Sequence, residues 1–151
     1  MNAYETLSEI EKYTERARET VEKVLPLSYI KPPIIILKDY CNDSIIPKVD
    51  LNGICIPKII LYAKNLPYII YRESILYFLI NFWKESLIKI YKRKIYGKIK
   101  NFIETLATVI ANADEEKLRK IRRCIRRDVR DSYILCKELI EKLYKPIEEY
   151  I

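Results

Sequence analysis

The sequence predicts a single α+β domain: an N-terminal helix, a small sheet of two to three strands, then three long helices. Three observations carry this. Apolar residues at helical spacing open the chain, a β-branched run introduced by prolines follows, and helical periodicity dominates after Asn65. With 151 residues, one domain over 1–151 is expected. A chain of that length hides roughly 70% of its unfolded surface on folding, enough for a full apolar core.

The first helix is predicted over residues 3–24. Leu7, Ile10, Ala17, Val21 and Val24 share a face, Asn2 can cap the start, and Pro26 stops it. Pro32-Pro33 introduces Ile34-Ile35-Ile36-Leu37, which reads as a buried strand. Lys38 to Asn52 is a polar loop closed by an Asn52-Gly53 turn. Ile54 to Tyr62 reads as one or two further strands, with Pro57 marking an edge or a bulge. Asn65 and Pro67 then start a helix expected to reach about Tyr96 and end at Gly97. A second covers about 98–112, and Asp114 caps a third reaching Tyr144, before Pro146.

Half of the residues are apolar and 32% are charged, which excludes a disordered chain. There is no histidine, which excludes a His-ligated metalloenzyme. The absence of glutamine, the two glycines and the abundance of Ile, Lys, Tyr and Glu fit a heat-adapted source, such as a thermophilic archaeon or its virus or plasmid. Codon bias in an AT-rich genome produces the same skew. Residues 1–24 carry charges throughout and lack an apolar leader core. The apolar stretch Ser74 to Trp83 is far shorter than the ~20 residues a bilayer needs. A cytoplasmic protein without membrane contact is therefore expected.

Cys41, Cys55, Cys124 and Cys136 form no C-x-x-C pair, which argues against a zinc knuckle or a thioredoxin-type motif. Buried free thiols are the expected state. The alternative is a Cys41–Cys55 disulfide across the polar loop, since intracellular proteins of hyperthermophiles carry such bonds. Cys124 and Cys136 fall on one predicted helix, ~18 Å apart by helical rise, and are not expected to bond each other.

One stretch is more specific. Ile59-Ile60-Leu61-Tyr62, a short linker, then Tyr71-Arg72-Glu73-Ser74-Ile75-Leu76-Tyr77-Phe78-Leu79 resembles the region around the H-E-x-x-H helix of small zincin-type metallopeptidases. In that family an edge strand leads into a helix with two His ligands one turn apart and a general-base Glu beside the first. Glu73 stands at the general base, Arg72 at the first His and Leu76 at the second. Asn101-Phe102-Ile103-Glu104-Thr105-Leu106-Ala107 resembles the next helix of gluzincins, with Glu104 at the third-ligand position. The resemblance covers roughly 1–112 and implies a gluzincin-like minimal domain, followed by a basic C-terminal helix over 113–151.

It also implies that catalysis is lost. Zinc needs three or four N, S or O donors at ~2.0–2.3 Å. Arginine offers no lone pair and leucine no donor. No metal, cofactor or catalytic residue is expected. An Arg72–Glu104 ion pair would instead supply the positive charge that two clustered carboxylates need. The plainer alternative makes Arg72 and Glu73 ordinary surface charges in the first turns of a helix. A histidine-free enzyme using Glu73 with Glu104, or the loop aspartates, is a further reading, but nothing nominates a substrate.

The basic charge is concentrated. Residues 84–130 hold 15 Lys and Arg against 6 Asp and Glu, while the whole chain carries +7. On a continuous last helix Leu118, Ile121 and Ile125 would share one face, with Arg119, Arg123, Arg126, Arg127 and Arg130 opposite and Lys120 and Arg122 flanking them. A second cluster is Lys89, Lys92, Arg93, Lys94, Lys98 and Lys100, interleaved with Tyr91 and Tyr96. Arginine forks suit phosphate and tyrosines stack on bases, so a nucleic-acid footprint is one reading. An acidic protein partner is another, and a solvated face with Asp128 and Asp131 pairing with Arg127 and its neighbours is the third. No zinc finger, ribonucleoprotein motif, G-x-x-G loop or P-loop accompanies the charge. Tyr68, Tyr71, Tyr77, Phe78, Phe82 and Trp83 exceed what one helix face buries, leaving core packing or a subunit interface as their fate. The expectation is a non-catalytic zincin-like domain acting as a binding or regulatory protein, with nucleic-acid binding through 84–130 as the alternative.

Overall fold

The computed structural model describes residues 3–27 and 30–146. The chain is α+β: an N-terminal helix, a three-stranded sheet, then several helices. Helix α1 (Ala3–Glu22) buries Ile10, Ala17 and Val21. Leu7 departs from the expected face and is 43% exposed. The cap expected from Asn2 lies outside the described residues.

Strand β1 (Ile34–Lys38) pairs in parallel with β3 (Gly53–Pro57), and β2 (Lys48–Val49) pairs antiparallel on the other side of β3, giving the order β1-β3-β2. The central strand is the buried one: Ile54 and Ile56 have no exposed surface. β1 is an edge strand, not a buried one, because Ile34 and Ile36 point outward at about half exposure. The loop between β1 and β2 is pinned at two points. Asn42 and Asp43, both at positive φ, form a two-residue turn in which Cys41 and Ser44 exchange backbone hydrogen bonds. Cys41 and Cys55 are joined by a disulfide, so the expectation of free thiols is overturned there.

The segment Ile59–Tyr62 is not a strand. Residues Lys58–Tyr62 form a short 3-10 turn, and the edge strand beside the following helix is β2. Pro57, at φ −63°, ends the strand and starts that turn.

Helix α2 (Leu66–Phe82) starts with Pro67 in its first turn and is apolar on all sides. That composition marks a central helix. It packs against α1, α4, β2 and β3. The expected helix to Tyr96 is interrupted at Trp83 and ends earlier: α3 (Lys84–Ile90) follows, then a turn over residues 91–95. The Trp83 indole is fully buried and donates to the Arg126 carbonyl at 3.1 Å. Helix α4 (Tyr96–Ala111) buries Ile99, Phe102, Ile103, Leu106 and Ile110, and Gly97 lies inside its first turn rather than closing the preceding helix. The aromatic surplus is absorbed internally. Tyr77, Phe78 and Trp83 are buried, and Tyr71 and Phe82 pack half-buried against the core.

The last helix is two helices. Asp114 caps α5 (Glu115–Cys124) by accepting from the Lys117 N–H at 2.9 Å, as expected. Ile125 turns extended, and Asp128 caps α6 (Val129–Leu143), accepting from the N–H groups of Arg130 and Asp131. The Ser132 hydroxyl closes this elbow, accepting from the Arg126 N–H at 2.7 Å. The bend brings Cys124 and Cys136 to a Cα separation of 5.2 Å, where they form a disulfide. Their exclusion as a pair rested on a straight helix, and the elbow removes that premise.

Gly53 fixes the sheet register. A Cβ there would lie 2.0 Å from the Ile34 carbonyl oxygen of the neighbouring strand. Gly53→Ala is therefore expected to destabilise the protein by roughly 1–3 kcal/mol, the usual range for overpacking. Denaturant unfolding of the oxidised chain checks it, and an unchanged midpoint would contradict the β1–β3 register.

Candidate functional site

Helices α2 and α4 pack side by side and carry the residues singled out by sequence. Arg72 lies one helical turn before Leu76, so both project toward α4. Glu104 and Thr108 are likewise one turn apart on α4. The four positions meet.

The Arg72 guanidinium is the centre. Its Nη2 donates to Glu104 Oε2 at 2.9 Å and to the Glu104 backbone oxygen at 2.9 Å. Nη1 donates to Glu73 Oε1 at 3.0 Å, and Nε donates to Thr108 Oγ1 at 3.2 Å. The Arg72 and Glu73 side chains are 14% and 13% exposed, and Glu104 is 43% exposed. Arg72 and Glu73 are thus mostly withdrawn from solvent, and the reading of them as plain surface charges fails. The Arg72–Glu104 ion pair is present.

Electrostatics follow from this packing. For Arg72, burial works against the charge, but the neighbouring Glu73 and Glu104 carboxylates outweigh it and raise the guanidinium above its ordinary value. For Glu73, burial is the largest influence and pushes the carboxyl above its ordinary value; Arg72 opposes this without cancelling it. Both carboxylates are engaged by one cation, each through one oxygen. Among the described residues, no three His, Cys, Asp or Glu side chains are grouped as metal ligands. Ser74, between Arg72 and Leu76, is fully buried with no partner for its hydroxyl among the described residues.

Beside this cluster lies a cavity of about 500 Å³ between α2–α3 and α4, closed at one side by the turn after β2. Leu76 and Glu104 form part of its wall, joined by Leu51, Ile80, Leu87 and Ile103, with Tyr91 and Tyr96 stacked edge-to-face at 5.2 Å. Its charged lining residues are Asp50, Lys84, Lys100 and Glu104. The two acids are occupied: Asp50 accepts from the N–H groups of Asn52 and Gly53, and Glu104 holds Arg72. Sequence reasoning missed the cavity because its wall is assembled from four separate elements. Thr108 was also missed, though its place one turn after Glu104 marks it. A second, more open depression of about 410 Å³ lies between α1 and the start of α2. Its hydroxyls are bonded within the protein, Thr20 to Tyr71 at 2.6 Å and Tyr68 to Asn112 at 2.8 Å.

The basic candidates lie elsewhere. Lys92, Arg93 and Lys94 are exposed in the turn between α3 and α4. Arg119 and Arg123 are exposed on α5, Arg126 and Arg127 at the elbow, and Arg130 at the start of α6. They do not form one stripe opposite Leu118, Ile121 and Ile125, because the helix bends between them. Arg126 is turned back on the protein, donating to the carbonyls of Arg123 and Ile125 at 2.8 and 2.9 Å. Asp128 is used as a cap, and among the described residues neither it nor Asp131 forms the ion pairs expected with Arg127 and its neighbours. No family model, curated protein or solved structure matches this chain.

The raised Glu73 gives a pH signature. A folded-state value above the unfolded one means that the folded protein binds more protons in the window between them. Stability from this group is then complete below its ordinary value near 4.5 and is lost as pH rises through the folded value. Relative to Glu73→Gln, the native protein should gain stability as pH falls from neutrality toward that window. Parallel urea titrations at several pH values check this, and a stability difference independent of pH would contradict it.

Proposed function

We propose that the chain is a non-catalytic domain of the zincin-like type, acting as a binding or regulatory protein through the cleft between α2 and α4. The observation that carries this reading is the Arg72 guanidinium bound to both Glu73 and Glu104. A peptidase of this type would need imidazole at positions 72 and 76 and a free carboxylate at 104. Here the cation is part of the protein, and a guanidinium cannot lower the pKa of a bound water as zinc does. With the reactive centre replaced, the adjoining cavity is left as a place to bind rather than to cut. The two disulfides suit a heat-adapted source or an oxidising compartment.

A second reading is nucleic-acid binding through 84–130, and a specific observation favours it. Arg119, Arg122, Arg123, Arg127 and Arg130 have no carboxylate within ion-pair distance among the described residues, while Lys120 pairs with Glu116 at 3.7 Å. Arginines left without internal partners can engage phosphate.

Each reading has its own test. Restoring imidazole by the double substitution Arg72→His and Leu76→His should create a zinc site completed by Glu104, and adding Glu104→Ala should remove it. Metal analysis after dialysis against zinc is the readout. A folded double variant that holds no more zinc than the native chain would sink the zincin comparison. For nucleic acid, fluorescence anisotropy with single-stranded and duplex oligonucleotides across salt is decisive. Log affinity should fall with log salt by about 0.7–0.9 for each phosphate contacted. Replacing Arg119, Arg123 and Arg127 by Glu should flatten that slope, and binding that ignores salt would end the reading.

A further inference from the structure

The cavity beside the Arg72 cluster is lined by two lysines that form no ion pair among the described residues, and those lysines nominate a ligand. Of its four charged lining residues, Asp50 and Glu104 are held by bonds within the protein. Lys84 and Lys100 are exposed and have no carboxylate within ion-pair distance among the described residues. The cavity thus offers an apolar interior bordered by two lysines whose ammonium groups have no carboxylate partner among the described residues. The adjoining turn adds Lys92, Arg93 and Lys94, so the field around it is positive as well.

We propose that this cavity binds a single-chain anionic amphiphile, a free alkyl carboxylate, with the chain lying against Leu76, Ile80, Leu87 and Ile103 and the head group at Lys84 and Lys100. This rests on the reading of the cleft as a binding site. Its volume of about 500 Å³ falls within the roughly 300–1,000 Å³ typical of small-molecule sites. A peptide is a poorer fit. The strand bordering the cavity is β2, only two residues long, Lys48–Val49, and gives an extended peptide almost no ladder to extend. The lysine stems can lie along the apolar wall while their ammonium groups meet the carboxylate.

The test is calorimetric titration of the full oxidised chain with octanoate, decanoate and dodecanoate below their micelle concentrations, alongside the matching 1-alkanols. One carboxylate per chain is expected, tightening by roughly tenfold for every two methylenes, as transfer of methylene groups from water requires. The alkanols should bind at least about tenfold more weakly, the loss expected without charge-assisted bonds to the head group. The double variant Lys84→Met, Lys100→Met, which keeps the stems and removes the ammonium groups, should lose about the same factor for decanoate and change decanol binding by less than about twofold. Leu87→Trp, which fills the cavity, should abolish both. Equal affinity for acid and alcohol, no dependence on chain length, or undiminished binding by a folded Leu87→Trp variant would overturn the proposal. The zinc experiment at positions 72 and 76 reads the origin of the cleft separately, so either result can fail without the other.

Discussion

One guanidinium organises the middle of this protein. Arg72 reaches from the central helix α2 to α4 and ties together two carboxylates, a backbone carbonyl and a threonine hydroxyl. Buried carboxylates without a cation would neutralise or drive the helices apart, and a buried cation without carboxylates would be costlier still. The α2–α4 contact can therefore hold its polar residues only as a set. Glu73 shows the tension in that set, since it is largely withdrawn from solvent and is the member whose charged form the surroundings disfavour. The apolar cavity next door depends on the same contact, because Leu76 and Glu104 belong to both.

Much of this was legible in the sequence, and the reasons are local. The fold class followed from periodicity, and Asp114 announced its helix by being the right residue at the right place. The meeting of Arg72 with Glu104 was expected only through the resemblance of the two segments to gluzincin helices; composition and periodicity alone did not point to it. The failures have equally local causes. Ile34 to Leu37 reads as a buried strand by composition, but composition does not say which strand is central, and the run at Gly53–Pro57 took that place. Ile59 to Tyr62 has strand-like residues, yet Pro57 fixes the backbone just ahead of them and the chain coils tightly instead. The helix breaks were missed because no glycine or proline marks them. At residues 125–128 the stop comes from competition: Asp128 and Ser132 satisfy backbone groups that a straight helix would have used.

That elbow reshapes the reading of the basic region as well. A single straight helix would have displayed its arginines along one line. The bend divides them among α5, the turn and the start of α6, and it commits Arg126 to the carbonyls of its own chain. It also creates the second disulfide, which closes a loop of only twelve residues' separation and links the end of α5 to the middle of α6. Asp128, expected to neutralise neighbouring arginines, is instead consumed in capping. Positive charge is thereby left unbalanced on the outside for a structural reason inside.

Trp83 sits where these parts join. It marks the interruption between α2 and α3, packs edge-on against Phe82 at 5.7 Å, and is bonded to the Arg126 carbonyl in the elbow. It is also the only tryptophan in the chain. The molecule consequently carries its own spectroscopic gauge. Opening of the α5–α6 corner would strip the indole of its acceptor and let solvent approach it. Emission from one ring, excited selectively over thirteen tyrosines, would register that motion without any attached dye.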